Sequence, residues 1–177
     1  MRELLEANAI DATGYVAVSQ FEPVPIEAMA GKAPELPAHG YALPGVVDAL
    51  EVLAVQPAVV QSVLTGNFAS NARSKLAAFG LDARVGLDVG GFGSDHIVRS
   101  RLVDSARVKV RRKYGRGFDA SSTILIGDTS LDVRAAHDGG AKIVAVATGR
   151  TVPLRLPHWV PMPYWRALPT SRPSLEP

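Results

Sequence analysis

The run of residues 123–149 constrains the fold more than any other part of the chain. A short apolar strand over 123–126 enters a Gly127-Asp128 turn, Ser130 offers a capping hydroxyl, and Val133 and Ala136 face inward from the helix that follows. Gly139-Gly140 closes that helix, and residues 142–147 form a second apolar strand that stops at Thr148-Gly149. Two strands joined through one helix of this length predict a parallel pair with a right-handed crossover. A chain built on such a unit is an α/β protein. The loops that follow its strands collect at one edge of the sheet, where ligands bind.

The alternation extends upstream. Val46, Val47, Leu50 and Leu53 fall on one helical face, with Pro44 suited to the first turn. Residues 59–64 are valine-rich and end at Thr65-Gly66-Asn67, which predicts a buried strand and a turn. Phe68, Ala72, Leu76 and Phe79 make the next helical stripe, stopped by Gly80 in a left-handed conformation with Leu81 as apolar clasp. A weaker strand is predicted over 84–89. A helix follows over 102–114, with Leu102, Val103, Ala106 and Val110 on one face and Gly115 at its end.

The flanks differ in texture. Residues 1–42 read as short helices broken by Pro23, Pro25, Pro34 and Pro37, an appendage to the core at 43–150. Residues 151–177 carry seven prolines and read as an irregular tail. The first eleven residues lack the apolar run of a signal peptide, and no stretch reaches the roughly 18 apolar residues of a membrane span.

Charge and composition exclude several classes of function. Lys and Arg total 19 against 17 Asp and Glu, so no basic field marks a nucleic-acid surface. The basic cluster Arg107, Lys109, Arg111, Arg112 and Lys113 is accounted for by a solvated helix face with cations near a C-terminus. The absence of cysteine removes disulfides, thiolate metal sites and thiol nucleophiles. A cytoplasmic protein without membrane or nucleic-acid partners is expected.

Three segments are candidates for chemistry: Thr65-Gly66-Asn67, residues 90–96, and Asp128 with Asp132. A hydroxyl, backbone amides and two carboxylates suit a phosphate held with a hard cation such as Mg²⁺, which prefers oxygen ligands. Each also has a plain structural explanation. Thr65 is equally a turn residue, and Asp128 and Asp132 could simply be stabilised by a helix N-terminus. Gly90, Gly91 and Gly93 do not complete a dinucleotide fingerprint, which disfavours a nucleotide-binding Rossmann domain, and His96 is a lone loop histidine.

Taken together, Leu64-Thr65-Gly66-Asn67, the run from Ile124 through Gly127-Asp128 to Asp132-Val133, Gly139-Gly140-Ala141 and Val144-Ala145-Val146-Ala147-Thr148-Gly149 resemble the haloacid dehalogenase superfamily, in its phosphoglycolate-phosphatase-like branch. The resemblance covers 43–150 and implies a Rossmann-like parallel sheet flanked by helices, with residues 1–42 as the remnant of a helical cap. It implies that Thr65 holds a transferring phosphoryl group with help from the amides of Gly66 and Asn67. Asp128 would hold Mg²⁺ with support from Asp132, and Arg99, or its competitor Arg101, would steady the phosphoryl charge. The implied substrate is a small phosphorylated metabolite.

The sequence departs from that pattern at one decisive point. Family members carry an Asp-x-Asp-Gly-Thr motif whose first aspartate attacks phosphorus, and no aspartate here is followed two positions later by another. Without the covalent step the family's hydrolytic route is closed. The strand that carries the motif lies centrally in such a sheet, between those ending at Thr65 and Asp128, so its loss is expected to leave two ladders of unpaired backbone groups. A truncated start, and a frame change near Arg150, would explain both ends. The expectation is an inactive phosphatase. The alternative is a non-catalytic phosphate- or partner-binding protein in which a neighbouring copy fills the gap, making a homo-oligomer.

Overall fold

The structure, a computed structural model, describes residues 23–146. The expectations for residues 1–22, for Thr148-Gly149 and for the proline-rich tail lie outside the described residues. The described chain forms two compact units that divide between Gly117 and Phe118.

The first unit opens with α1 (Pro23–Lys32), a 3-10 turn (Ala33–Glu35) and α2 (Leu36–His39). Its prolines begin these elements rather than break them. Pro23, Pro34 and Pro37 all sit in first turns, where a missing N–H costs nothing. Helix α3 (Val46–Ala54) starts two residues later than Pro44 suggests, because Pro44 and Gly45 form a turn and Gly45 is its N-cap. Val46, Val47, Leu50 and Leu53 are its half-buried positions and the others are exposed, as the periodicity predicts.

Strand β1 is only Leu64–Thr65, shorter than the predicted 59–64. Residues 61–63 are satisfied by irregular bonds instead: Gly86 N–H donates to Gln61 O (2.9 Å), Ser62 Oγ donates to Gly86 O (2.6 Å) and Gly91 N–H donates to Val63 O (2.9 Å). Helix α4 (Ala69–Ala77) follows, with Phe68 and Ala72 buried below it. It ends as predicted. Gly80 takes φ 66° and Leu81, buried, donates its N–H to Leu76 O at 2.9 Å.

The predicted strand over 84–89 is replaced by two 3-10 turns, Asp82–Arg84 and Leu87–Val89. Leu87 and Val89 are buried and Asp88 exposed, so a tight turn here mimics the period-2 pattern of a strand. The strand itself is β2 (Gly91–Phe92), parallel to β1 with Leu64 opposite Gly91 and Thr65 opposite Phe92. Helix α5 (Arg101–Tyr114) packs on β1, β2 and the Leu87–Val89 turn. Leu102 and Val103, each 1 % exposed, anchor it, and burying such side chains stabilises by roughly 1.5–3 kcal/mol apiece.

The second unit is the predicted strand–helix–strand. Strand β3 (Ile124–Gly127) and β4 (Lys142–Ala145) pair in parallel, Ile124 opposite Lys142 through Gly127 opposite Ala145. Helix α6 (Ser130–Asp138) packs on both through Val133, Ala135 and Ala136. Its cap is Thr129, not the predicted Ser130, which is the first helical residue. Thr129 wins because Asp132 stands three residues on and completes a reciprocal capping box. Helices on parallel strands make this an α/β fold of Rossmann-like type, and among the described residues no helix is long and apolar enough to cross a membrane.

Candidate functional site

In the first unit the turn after β1 is built around the Thr65 hydroxyl. Its Oγ1 accepts from the backbone N–H of Asn67 (3.2 Å) and from the Asn67 side-chain amide (2.9 Å). Asn67 Oδ1 in turn accepts from Lys75 Nζ at 3.2 Å, and the Asn67 carbonyl accepts from Gly93 N–H at 2.9 Å. Gly66 is exposed at the tip of the turn.

The two arginines that the sequence left in competition separate clearly. A guanidinium nitrogen of Arg99 lies 3.6 Å from where a Cβ on Gly66 would stand, so that cation borders the turn. Arg101 is on the exposed face of α5, its side chain 67 % exposed and 3.6 Å from Asp104. Lys75 is a residue that sequence reasoning missed. Its signal was faint: a lysine two helical turns beyond the Asn67 it touches.

The loop at 90–96 is held from within. Asp95 Oδ2 accepts from Phe92 N–H (2.9 Å) and from Lys109 Nζ (2.6 Å), while Lys109 also donates to Gly90 O (2.8 Å) and lies 5.2 Å from the centre of the Phe92 ring. Lys109 therefore fastens this loop to α5 rather than belonging to a solvated face. Lys113 likewise reaches Asp88 at 2.6 Å. The amides of Phe92 and Gly93 are used inside the protein, and His96 Nδ1 accepts from Val98 N–H at 2.8 Å, which places that ring's proton on Nε2 when it is neutral. The missing Cβ of Gly93 has its own reason: the atom would fall on the carbonyl of Gly66.

In the second unit Asp128 is half-buried between β3 and α6. Asp132 Oδ2 accepts from Thr129 Oγ1 (2.7 Å) and from Thr129 N–H (3.2 Å), so the carboxylate caps its own helix. Gly127 makes space for it, since a Cβ there would meet the Asp132 carboxylate carbon at 2.6 Å. The acidic pair offers oxygen donors only, the set a hard cation takes. Among the described residues no group of three or more His, Cys, Asp or Glu side chains gathers into a cage. Two carboxylates fit Mg²⁺ in the manner of an ion that keeps several waters and draws further ligands from a bound phosphate.

A cavity of about 520 Å³ lies elsewhere in the first unit, between the segments that precede β1 and β2 and the C-terminal end of α5, and includes Gln61, Arg84, Lys113 and Arg116. Its cations are committed: Arg84 to Glu51 (3.3 Å), Lys113 to Asp88, and Arg116 to Pro57 O (3.0 Å).

A glycine-aspartate turn opening a capped helix, and a threonine turn bordered by a cation, each at the end of a parallel strand, define a class. The family model of haloacid dehalogenase-like hydrolases matches residues 4–137, and the chain belongs to that family. No curated protein matches it.

Proposed function

We infer that this haloacid dehalogenase-like chain is of the phosphoglycolate-phosphatase-like type and binds the phosphoryl group of a small phosphorylated metabolite without hydrolysing it. The observation that carries the reading is the turn after β1, where the Thr65 hydroxyl and the Arg99 guanidinium border Gly66. A hydroxyl donor and a guanidinium are what a phosphoryl oxygen needs, since charge-assisted hydrogen bonds are the strong ones. Thr65, with the backbone amide of Gly66, takes the phosphate; the amides of Asn67, expected to assist directly, instead donate to Thr65 Oγ1 and orient it, and Arg99 balances the charge. In the second unit Asp128, supported by Asp132, is assigned to Mg²⁺, which would be held there by carboxylate oxygens and water. Hydrolysis is not assigned, because the chain contains no Asp-x-Asp pair to form the phosphoenzyme.

Inorganic phosphate titrated calorimetrically into the purified chain is expected to bind, and Mg²⁺ is titrated separately. Thr65→Ala and Arg99→Met should each weaken phosphate binding by about 1.5–3 kcal/mol, and Asp128→Asn should abolish Mg²⁺ binding. No phosphate should be released from p-nitrophenyl phosphate with Mg²⁺; release sensitive to Thr65→Ala would overturn the inactive reading. A chain that takes no phosphate would overturn the site.

A second reading, a partner-binding derivative of the family that pairs with its own copy, is favoured by β3. Ile124 and Ile126 on that strand are 56 % and 65 % exposed, an unusual degree for isoleucine in a sheet. Native mass spectrometry distinguishes the two, a folded homo-oligomer supporting this reading.

A further inference from the structure

Both lone pairs of the Thr65 hydroxyl are taken, one by the Asn67 backbone N–H at 3.2 Å and one by the Asn67 side-chain amide at 2.9 Å. What such a hydroxyl has left to offer is its proton. A group that can only donate recognises an anionic oxygen and rejects a donor. This polarity depends on which way round the Asn67 amide sits. Turned over, the amide would present its carbonyl oxygen to Thr65, and the hydroxyl proton would be spent on it.

The orientation is fixed at the other end of the amide. Lys75 Nζ lies 3.2 Å from Asn67 Oδ1. An ammonium has donors and no acceptor, so it is matched only by the oxygen and would oppose the NH₂ of a flipped amide. Lys75 is half-buried on α4, and its reach back to the turn spans eight residues. We propose that Lys75 is a positioning residue of the phosphate site: acting through Asn67, it holds the Thr65 hydroxyl as an obligate donor and so selects for anionic oxygen. The proposal rests on the reading of the Thr65 turn as a phosphoryl site, and adds a residue outside that turn which sets its preference.

The competing account is that Lys75 merely adds positive charge near an anion. A double-mutant cycle separates the two. The full chain is titrated with inorganic phosphate as wild type, Lys75→Met, Thr65→Val and the double variant. Lys75→Met is expected to weaken binding about tenfold, the scale of one charge-assisted hydrogen bond. In the Thr65→Val background the same change should cost nothing further, and Lys75→Arg, which also presents donors only, should restore most of the affinity. Equal losses in both backgrounds, or wild-type affinity in Lys75→Met, would overturn the proposal while leaving the phosphate site intact. If the wild-type chain takes no phosphate, the site reading falls and the proposal falls with it. Should Lys75→Met fail to fold, Lys75→Gln, which tolerates either orientation of the Asn67 amide, carries the same cycle with a smaller loss expected.

Discussion

Position 93 has no room for a side chain, because a Cβ there would overlap the Gly66 carbonyl in the turn after β1. Gly93→Ala should therefore push the loop at 90–96 away from that turn and break the Gly93 N–H bond to Asn67 O. Overpacking of this kind costs about 1–3 kcal/mol, and urea denaturation of the variant is the check. Asp119 gives a pH test at the same scale. The hydroxyls of Ser122 and Ser121 and their backbone N–H groups donate to its carboxylate and hold its pKa far below the usual carboxylate range. The unfolded value is about 3.9, so the folded state binds the proton less readily. The stability this turn contributes is present above that pH and is lost as the pH falls below it toward the folded pKa. An NMR titration of the Asp119 carboxyl carbon should show a midpoint well under the unfolded value; a midpoint at or above it would count against the turn.

Helix α6 depends on its cap. Thr129→Ala removes the hydroxyl bond to the Asp132 carboxylate and the acceptor for Asp132 N–H, leaving only the bond from the backbone N–H of residue 129, and should destabilise by about 1 kcal/mol, read as a lower urea midpoint. Loss of Mg²⁺ binding in that variant with unchanged stability would mean that Asp132 serves the metal and not the helix. Elements of this kind were legible in the sequence to different depths. Helices α3, α4 and α5 could be read because each turns an apolar stripe at helical spacing inward, half-buried in α3 and buried in α5 at Leu102, Val103 and Val110. The strands could not be read in full, because their pairing partners rather than their own composition set their length. Residues 61–63 bond irregularly to Gly86 and Gly91, and β2 contains a glycine at 91 because a Cβ there would collide with Leu102. Of the candidate site, the threonine turn and the acidic pair follow from local motifs. The choice of Arg99 over Arg101, and the tie from Lys75 to Asn67, depend on how separate segments fold back, which no local pattern records.

Taken as a whole, the described chain carries two short parallel pairs, one in each unit, where one continuous sheet would be the simplest outcome of the pattern. Membership of the hydrolase family was readable from the motifs, and a break between the strand ending at Thr65 and the one ending at Asp128 is what the missing Asp-x-Asp strand leads one to expect. The exposed isoleucines of β3 leave an apolar, uncharged strand surface. Ile126→Lys should lower concentration-dependent self-association in light scattering while leaving the circular dichroism unchanged; equal association would mean that another surface is responsible. The geometry of β3 leaves one more trace. Lys142 N–H donates to Thr123 O and Val146 N–H to Gly127 O, so the peptide groups turned toward β4 recur at every second residue. Deuterium should consequently enter this strand as a stripe, rapidly at Ile124 and Ile126 and slowly at Leu125 between them. Whatever came to lie along the outer edge would erase the stripe.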